Sequence, residues 1–254
     1  MFSDKKSVRV ITKLEVKSPN VIKGIQLEGL RVVGNPEHMA IRYYDHGIDE
    51  ILYMDVVASL YGRNQIQETL FDAGKNIFIP LTVGGGIRTL DDIDMALNNG
   101  ADKVAINTGA VDKPDIIDQA CIKYGSQCIV GSIEAKKNST GWEVLTDNGR
   151  EKTGLDVREW CRELQERGAG ELLITSVDMD GTRKGFDIEL FQSVQDFIQV
   201  PIIASGGCGC VEDAVTLLKQ TKVDAVCCSD LFHFERASVS DVKDAIRSSG
   251  FDVR

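Results

Sequence analysis

Positive charge is scarce in these 254 residues: 29 lysines and arginines stand against 39 aspartates and glutamates, a net charge of −10. General binding to nucleic acid or to an anionic membrane surface needs a basic face, so neither is expected. A local anion site built from backbone N–H groups is still open to the chain. Long apolar runs are missing too. No stretch of about 18 apolar residues is available to span a bilayer, and the start, "MFSDKKSVRV", lacks the apolar core of a secretory signal. Prolines number five, and no Ser/Gly-rich or single-sign run reads as a linker, so residues 1–254 are expected to form one domain. Seven cysteines include no CxxC pair, and Cys208/Cys210 and Cys227/Cys228 stand too close for an easy disulfide or a standard zinc clip. The expectation is reduced, mostly buried thiols in a cytoplasmic protein with no metal and no cofactor.

What is present is alternation. Short β-type runs ("VRVITKLEV", "EILYMDVV", "IFIPLTV", "KVAIN", "CIVGSIEA", "ELLITSV", "VPIIAS", "DAVCCS") are separated by amphipathic segments such as "RTLDDIDMALNNG" and "DVREWCRELQERG". Eight strand–helix units in this length predict an α/β fold, a (β/α)8 TIM barrel. The competing doubly wound sheet lacks its Gly-rich fingerprint after the first strand. An internal repeat points the same way: Gly47/Gly168, Glu50/Glu171, Pro80/Pro201 and Gly85/Gly206 are each 121 residues apart, so the barrel is expected to comprise two similar halves.

In such a barrel chemistry sits at the C-terminal strand ends. Glu15 ends the first strand and Glu134 the fifth, which places two carboxylates across one mouth as candidates for an acid/base pair. "TVGGGI", with Gly85 and Gly86, and "ASGGCG", with Gly206 and Gly207, each lie between a strand and a helix, where glycines let backbone N–H groups approach an anion. Asn107 and Thr108 of "NTGA" and Ser229 of "CSDLF" would complete one phosphate cradle per half. At the other rim Arg9, Glu50, Lys103 and Glu171 start strands one, two, four and six; alternation turns them inward, as a charged plug or a gate.

The chain resembles the HisF family, cyclase subunits of imidazole glycerol phosphate synthase, in "GIDE", "TVGGGI", "GADKVAINT", "RGAGELLITSVDMDGTRKG", "PIIASGG" and "FHF". The resemblance implies a heterodimer with a HisH-type glutaminase docked on the floor. Ammonia from that partner would be used to split and cyclise a bis-phosphorylated ribulosyl aminoimidazole carboxamide. It also implies that the four floor charges gate ammonia and that Lys23, on the loop after strand one, holds substrate. Thr175, Asp178, Gly181 and Thr182 would belong to the C-terminal half of the mouth, with Gly86 and Thr108 in the other half.

Three departures from the family pattern stand out. Both catalytic aspartates are glutamates here, Glu15 and Glu134, and a carboxylate displaced by about 1 Å can cost about 100-fold in rate. A small residue is replaced by Lys13, a buried ammonium that needs a partner, expected to be Glu15 or Glu134. Whichever carboxylate it pairs with should be held ionised and lost as a general acid. The cradle serine is replaced by Asp230, whose charge should weaken phosphate binding there. These changes leave two rival expectations: a paralogue passing ammonia to a separate amidotransferase, such as one amidating a surface sugar, or a non-catalytic subunit that activates its partner.

Overall fold

Parallel pairing runs without a break from the first strand round to itself. The structure, a computed structural model, describes residues 7–58 and 76–254. Strand β1 (Arg9–Lys17) pairs with β2 (Glu50–Asp55), and the ring continues through β3 (Leu81–Gly84), β4 (Lys103–Ile106), β5 (Ile129–Lys137), β6 (Glu171–Ser176), β7 (Ile202–Ser205) and β8 (Ala225–Cys227) back to β1. This is the expected (β/α)8 barrel. The segment expected to carry the helix after β2 lies mostly outside the described residues.

Side-chain alternation divides the apolar residues into two cores. Val10, Leu14, Ile51, Tyr53, Leu81, Val83 and their counterparts point outward and pack beneath the helices. Ile11, Leu52, Ala105, Val130, Leu173, Ile203, Ala225 and Cys227 fill the barrel. Burying a large apolar side chain contributes about 1.5–3 kcal/mol each, so the outer shell, with far more members, dominates stability. The inner set is smaller and leaves both ends of the barrel to polar groups.

Two helices illustrate how local sequence sets the ends. In Leu90–Asn98 the Thr89 hydroxyl accepts from the Asp92 N–H while the Asp92 carboxylate accepts from the Thr89 N–H. In Val157–Glu166 Asp156 caps Arg158 and Glu159. One boundary differs from the expectation: β3 begins at Leu81, because Phe78 lies outside the strand with 81% of its surface exposed.

The half-barrel repeat survives in three dimensions. Both nine-residue strands, β1 and β5, run past the barrel rim into antiparallel pairs that the sequence reading did not foresee: Asn20–Ile25 with Glu28–Gly34 after β1, and Trp142–Thr146 with Glu151–Asp156 after β5. The two hairpins meet above the mouth, where Leu27, Leu145 and Val177 form a small apolar cluster.

Candidate functional site at the barrel axis

At the floor, alternation does turn Arg9, Glu50, Lys103 and Glu171 inward, and they bond directly. Arg9 binds Glu50 at 2.8 Å and also Glu171, while Lys103 binds Glu50 at 3.0 Å and Glu171 at 2.8 Å. Each cation therefore holds both anions, a closed ring of alternating charge. Glu50 is the most buried member and also accepts from the Thr82 hydroxyl at 2.7 Å. Removing one member of a buried pair leaves charge uncompensated. Glu50→Ala should accordingly cost about 3 kcal/mol, seen as a lower urea midpoint, and Glu50→Gln should cost less because it keeps the Thr82 contact.

Above the ring lies the apolar lining, and above that a second charged layer. Lys13, 5% exposed, points up from β1 and binds Glu15 Oε1 at 2.9 Å. Lys23, on the first hairpin, binds the other oxygen of Glu15 at 2.8 Å and both oxygens of Asp180 at 3.0 and 2.9 Å. Two ammoniums and two carboxylates thus balance within one buried cluster. Burial works to raise Glu15, but Lys13 and Lys23 override it and hold the carboxyl at about 2. The peptide of Lys13 is pinned too: its N–H donates to Ser229 Oγ at 2.8 Å and its carbonyl is 3.2 Å from His233 Nε2.

Glu134 has the opposite surroundings. It faces the same mouth from β5, and its bond is with the Gly149 N–H at 2.7 Å. Burial dominates and pushes its carboxyl up to about 7 against that bond and the field of Lys13. Lys13 has therefore taken Glu15 and left Glu134 as the protonatable partner. The two glutamates differ in charge state at neutral pH, the condition for an acid/base pair.

The first cradle lies beside Glu134. A cleft lined by Asp55, Gly85, Gly86, Asn107, Thr108 and Glu134 opens onto the mouth. Gly85 must be glycine: its φ is +98°, and a Cβ would sit 2.1 Å from the Asp55 carbonyl oxygen. The second hairpin leans over the cleft. Asp147 N–H donates to Thr108 Oγ1 at 3.1 Å, and Asn107 Nδ2 donates to the Leu145 carbonyl at 3.1 Å. The Asn107 Oδ1 is buried with no hydrogen-bond partner among the described residues, so a ligand N–H or O–H would satisfy it.

In the second half Gly206 matches Gly85, with φ +98° and a Cβ position 2.6 Å from the Ser176 carbonyl oxygen. Thr175 lies buried beside Glu134 in the β5–β6 register. The side chain of Thr182 is turned back to the Met179 carbonyl. The Asp178 carboxylate accepts from the Lys137 N–H at 2.7 Å, at the outer end of β5. A second aspartate of the same loop, Asp180, joins the buried cluster through Lys23, and the sequence reading missed it. Gly181 packs so closely on Gly24 that a Cβ would lie 2.2 Å from the Gly24 carbonyl oxygen, and this contact brings the adjacent Asp180 and Lys23 together. Asp230 is not a bare negative charge, since Arg183 and Arg236 both bind it.

Residues 9–238 match a family described as histidine biosynthesis protein. Over 208 residues the chain is 56% identical to the imidazole glycerol phosphate synthase subunit HisF of Legionella pneumophila, covering 82% of this chain and 98% of that protein. No helix among the described residues is long and apolar enough to cross a membrane.

Proposed function

The chain belongs to the histidine biosynthesis protein family as a HisF-type subunit of imidazole glycerol phosphate synthase, and we propose how its barrel performs that work. Ammonia from a docked glutaminase passes the four-charge floor and the apolar lining. It meets a bis-phosphorylated ribulosyl aminoimidazole carboxamide held across the mouth, one phosphate in each cradle. Exposed Phe78, just before β3 at the floor end of the barrel, offers the partner an apolar anchor.

Adding ammonia to a carbonyl carbon leaves the nitrogen with protons to lose and the oxygen needing one. Glu134, poised at about 7, supplies the proton. Glu15, fully ionised, accepts one and stabilises positive charge on the nitrogen. Lys23 reaches from the hairpin to Glu15 and Asp180, so it can exchange these for substrate oxygens without leaving the site. The split between the two glutamates carries this assignment.

The test is direct: purified protein, the bis-phosphorylated substrate and ammonium, with both products followed chromatographically. Imidazole glycerol phosphate and the aminoimidazole carboxamide ribotide should appear in equal amounts, and glutamine should replace ammonium only when a HisH-type glutaminase is added. The pinning of Glu15 by Lys13 favours one rival, delivery of ammonia to a separate amidotransferase. In that case glutaminase would still be activated while neither product formed.

A further inference from the structure

The sequence sets an aspartate where a phosphate should dock, and the fold brings two arginines to it from different loops. Asp230, 8% exposed at its side chain, accepts from Arg183 Nε at 2.9 Å and from Arg236 Nη2. Two guanidiniums on one carboxylate leave a net positive charge beside the second cradle. The arginines are not equivalent: Arg236 is 27% exposed at its side chain, whereas Arg183 is 49% exposed. Arg183 also belongs to a segment that rests on the cradle itself. A Cβ on Gly209 would meet the Arg183 carbonyl oxygen at 2.4 Å, and one on Gly207 would meet that of Gly185 at 1.9 Å. Phe234 lies beneath both guanidiniums, 5.2 Å from Arg183 and 5.9 Å from Arg236, and its ring face attracts both cations.

We propose that Arg183 is the anion-recognising residue of the second cradle, held on Asp230 in the free protein and transferred to a phosphoryl group of the ligand, while Arg236 remains and neutralises Asp230. This rests on the reading that the ligand carries a phosphate at each end. The exchange replaces one charge-assisted pair with another, and a phosphate offers the guanidinium more acceptor oxygens than the carboxylate it leaves. A ligand with only a hydroxyl at this end has no charge with which to displace Asp230. Arg183 therefore selects bis-phosphorylated over mono-phosphorylated substrates.

Inorganic phosphate titrated into the full-length protein tests this, with the amide resonances of Gly86 and Gly207 followed separately. In the wild type both should shift. Arg183→Gln should weaken the Gly207 response about tenfold or more, the weight of one charge-assisted bond, and leave Gly86 unchanged; Arg183→Lys should recover part of the loss. Asp230→Asn should strengthen binding at Gly207 by releasing Arg183, and that gain should vanish in the double variant. An unchanged Gly207 affinity in Arg183→Gln overturns the proposal, as does an Asp230→Asn gain of equal size with and without Arg183, which is simple repulsion. Wild-type protein in which neither glycine responds to phosphate would instead remove the two-phosphate reading beneath it.

Discussion

Glu134→Gln should lower ammonia-dependent turnover about 100- to 10,000-fold, the range of a lost general acid. Glutamine retains the shape and an acceptor for the Gly149 N–H, so the hairpin stays in place and only the proton is removed. The pH profile separates this from a structural effect. In the wild type kcat should decline as pH rises through about 7, where Glu134 loses its proton, and the residual rate of the variant should lack that limb. Stability carries the same signature. A carboxyl raised from 4.5 to about 7 on folding means that the folded state binds more protons between those values. Stability should then fall as pH rises across that window and level off above it, and the glutamine variant should lose this part of the slope. A variant with wild-type turnover, or one with the high-pH limb intact, would rule out Glu134 as the acid.

The second large effect is a gain. Two ammoniums hold Glu15 at about 2, which makes it a weak base at neutral pH. Lys13→Cys removes one of them and should raise Glu15 toward the ordinary carboxylate range. Glu134 should rise slightly as well, because the field of Lys13 lowers it. Glu15→Asp and Glu134→Asp then withdraw each carboxylate by about one carbon–carbon bond, and recovery of about 1 Å in placement is worth about 100-fold. The triple variant should turn over up to about 100-fold faster than wild type. Neither aspartate substitution alone should match it, because the three groups share one site and their effects couple. Acid stability should move in the opposite direction. A carboxyl lowered to about 2 adds stability above 4.5 that is lost as pH falls through 2, so freeing Glu15 from Lys13 should raise the pH at which the protein unfolds. Steady-state assays with ammonium decide the matter: wild type already turning over at about 1–10 per second would show that the Lys13 contact does not limit Glu15.

The sequence by itself determined the barrel, its two-fold repeat and the direction in which its chemistry points. These depend on periodicity, and a strand of period two turns residues 9, 11, 13 and 15 to one side whatever surrounds it. The inward face of β1 is therefore legible in the sequence alone as floor charge, apolar lining, lysine and mouth carboxylate. The same rule assembled Arg9, Glu50, Lys103 and Glu171 from four separate strands, because each begins its strand. Only the tertiary structure decided how these charges pair. Lys13 had two glutamates to choose from, and the choice depends on which carboxylate oxygen comes within 3 Å of a buried ammonium. That distance is set by barrel register and by the first hairpin carrying Lys23 over Glu15. Loop geometry, which has no period, placed Asp180 on Lys23 through the Gly24–Gly181 contact and set Asp178 against the Lys137 N–H. It also brought Arg183 and Arg236 onto Asp230, from 47 residues before it and 6 residues after. Periodicity fixes which face a side chain lies on, but the charge a buried group carries depends on its neighbours in space, and the fold chooses those.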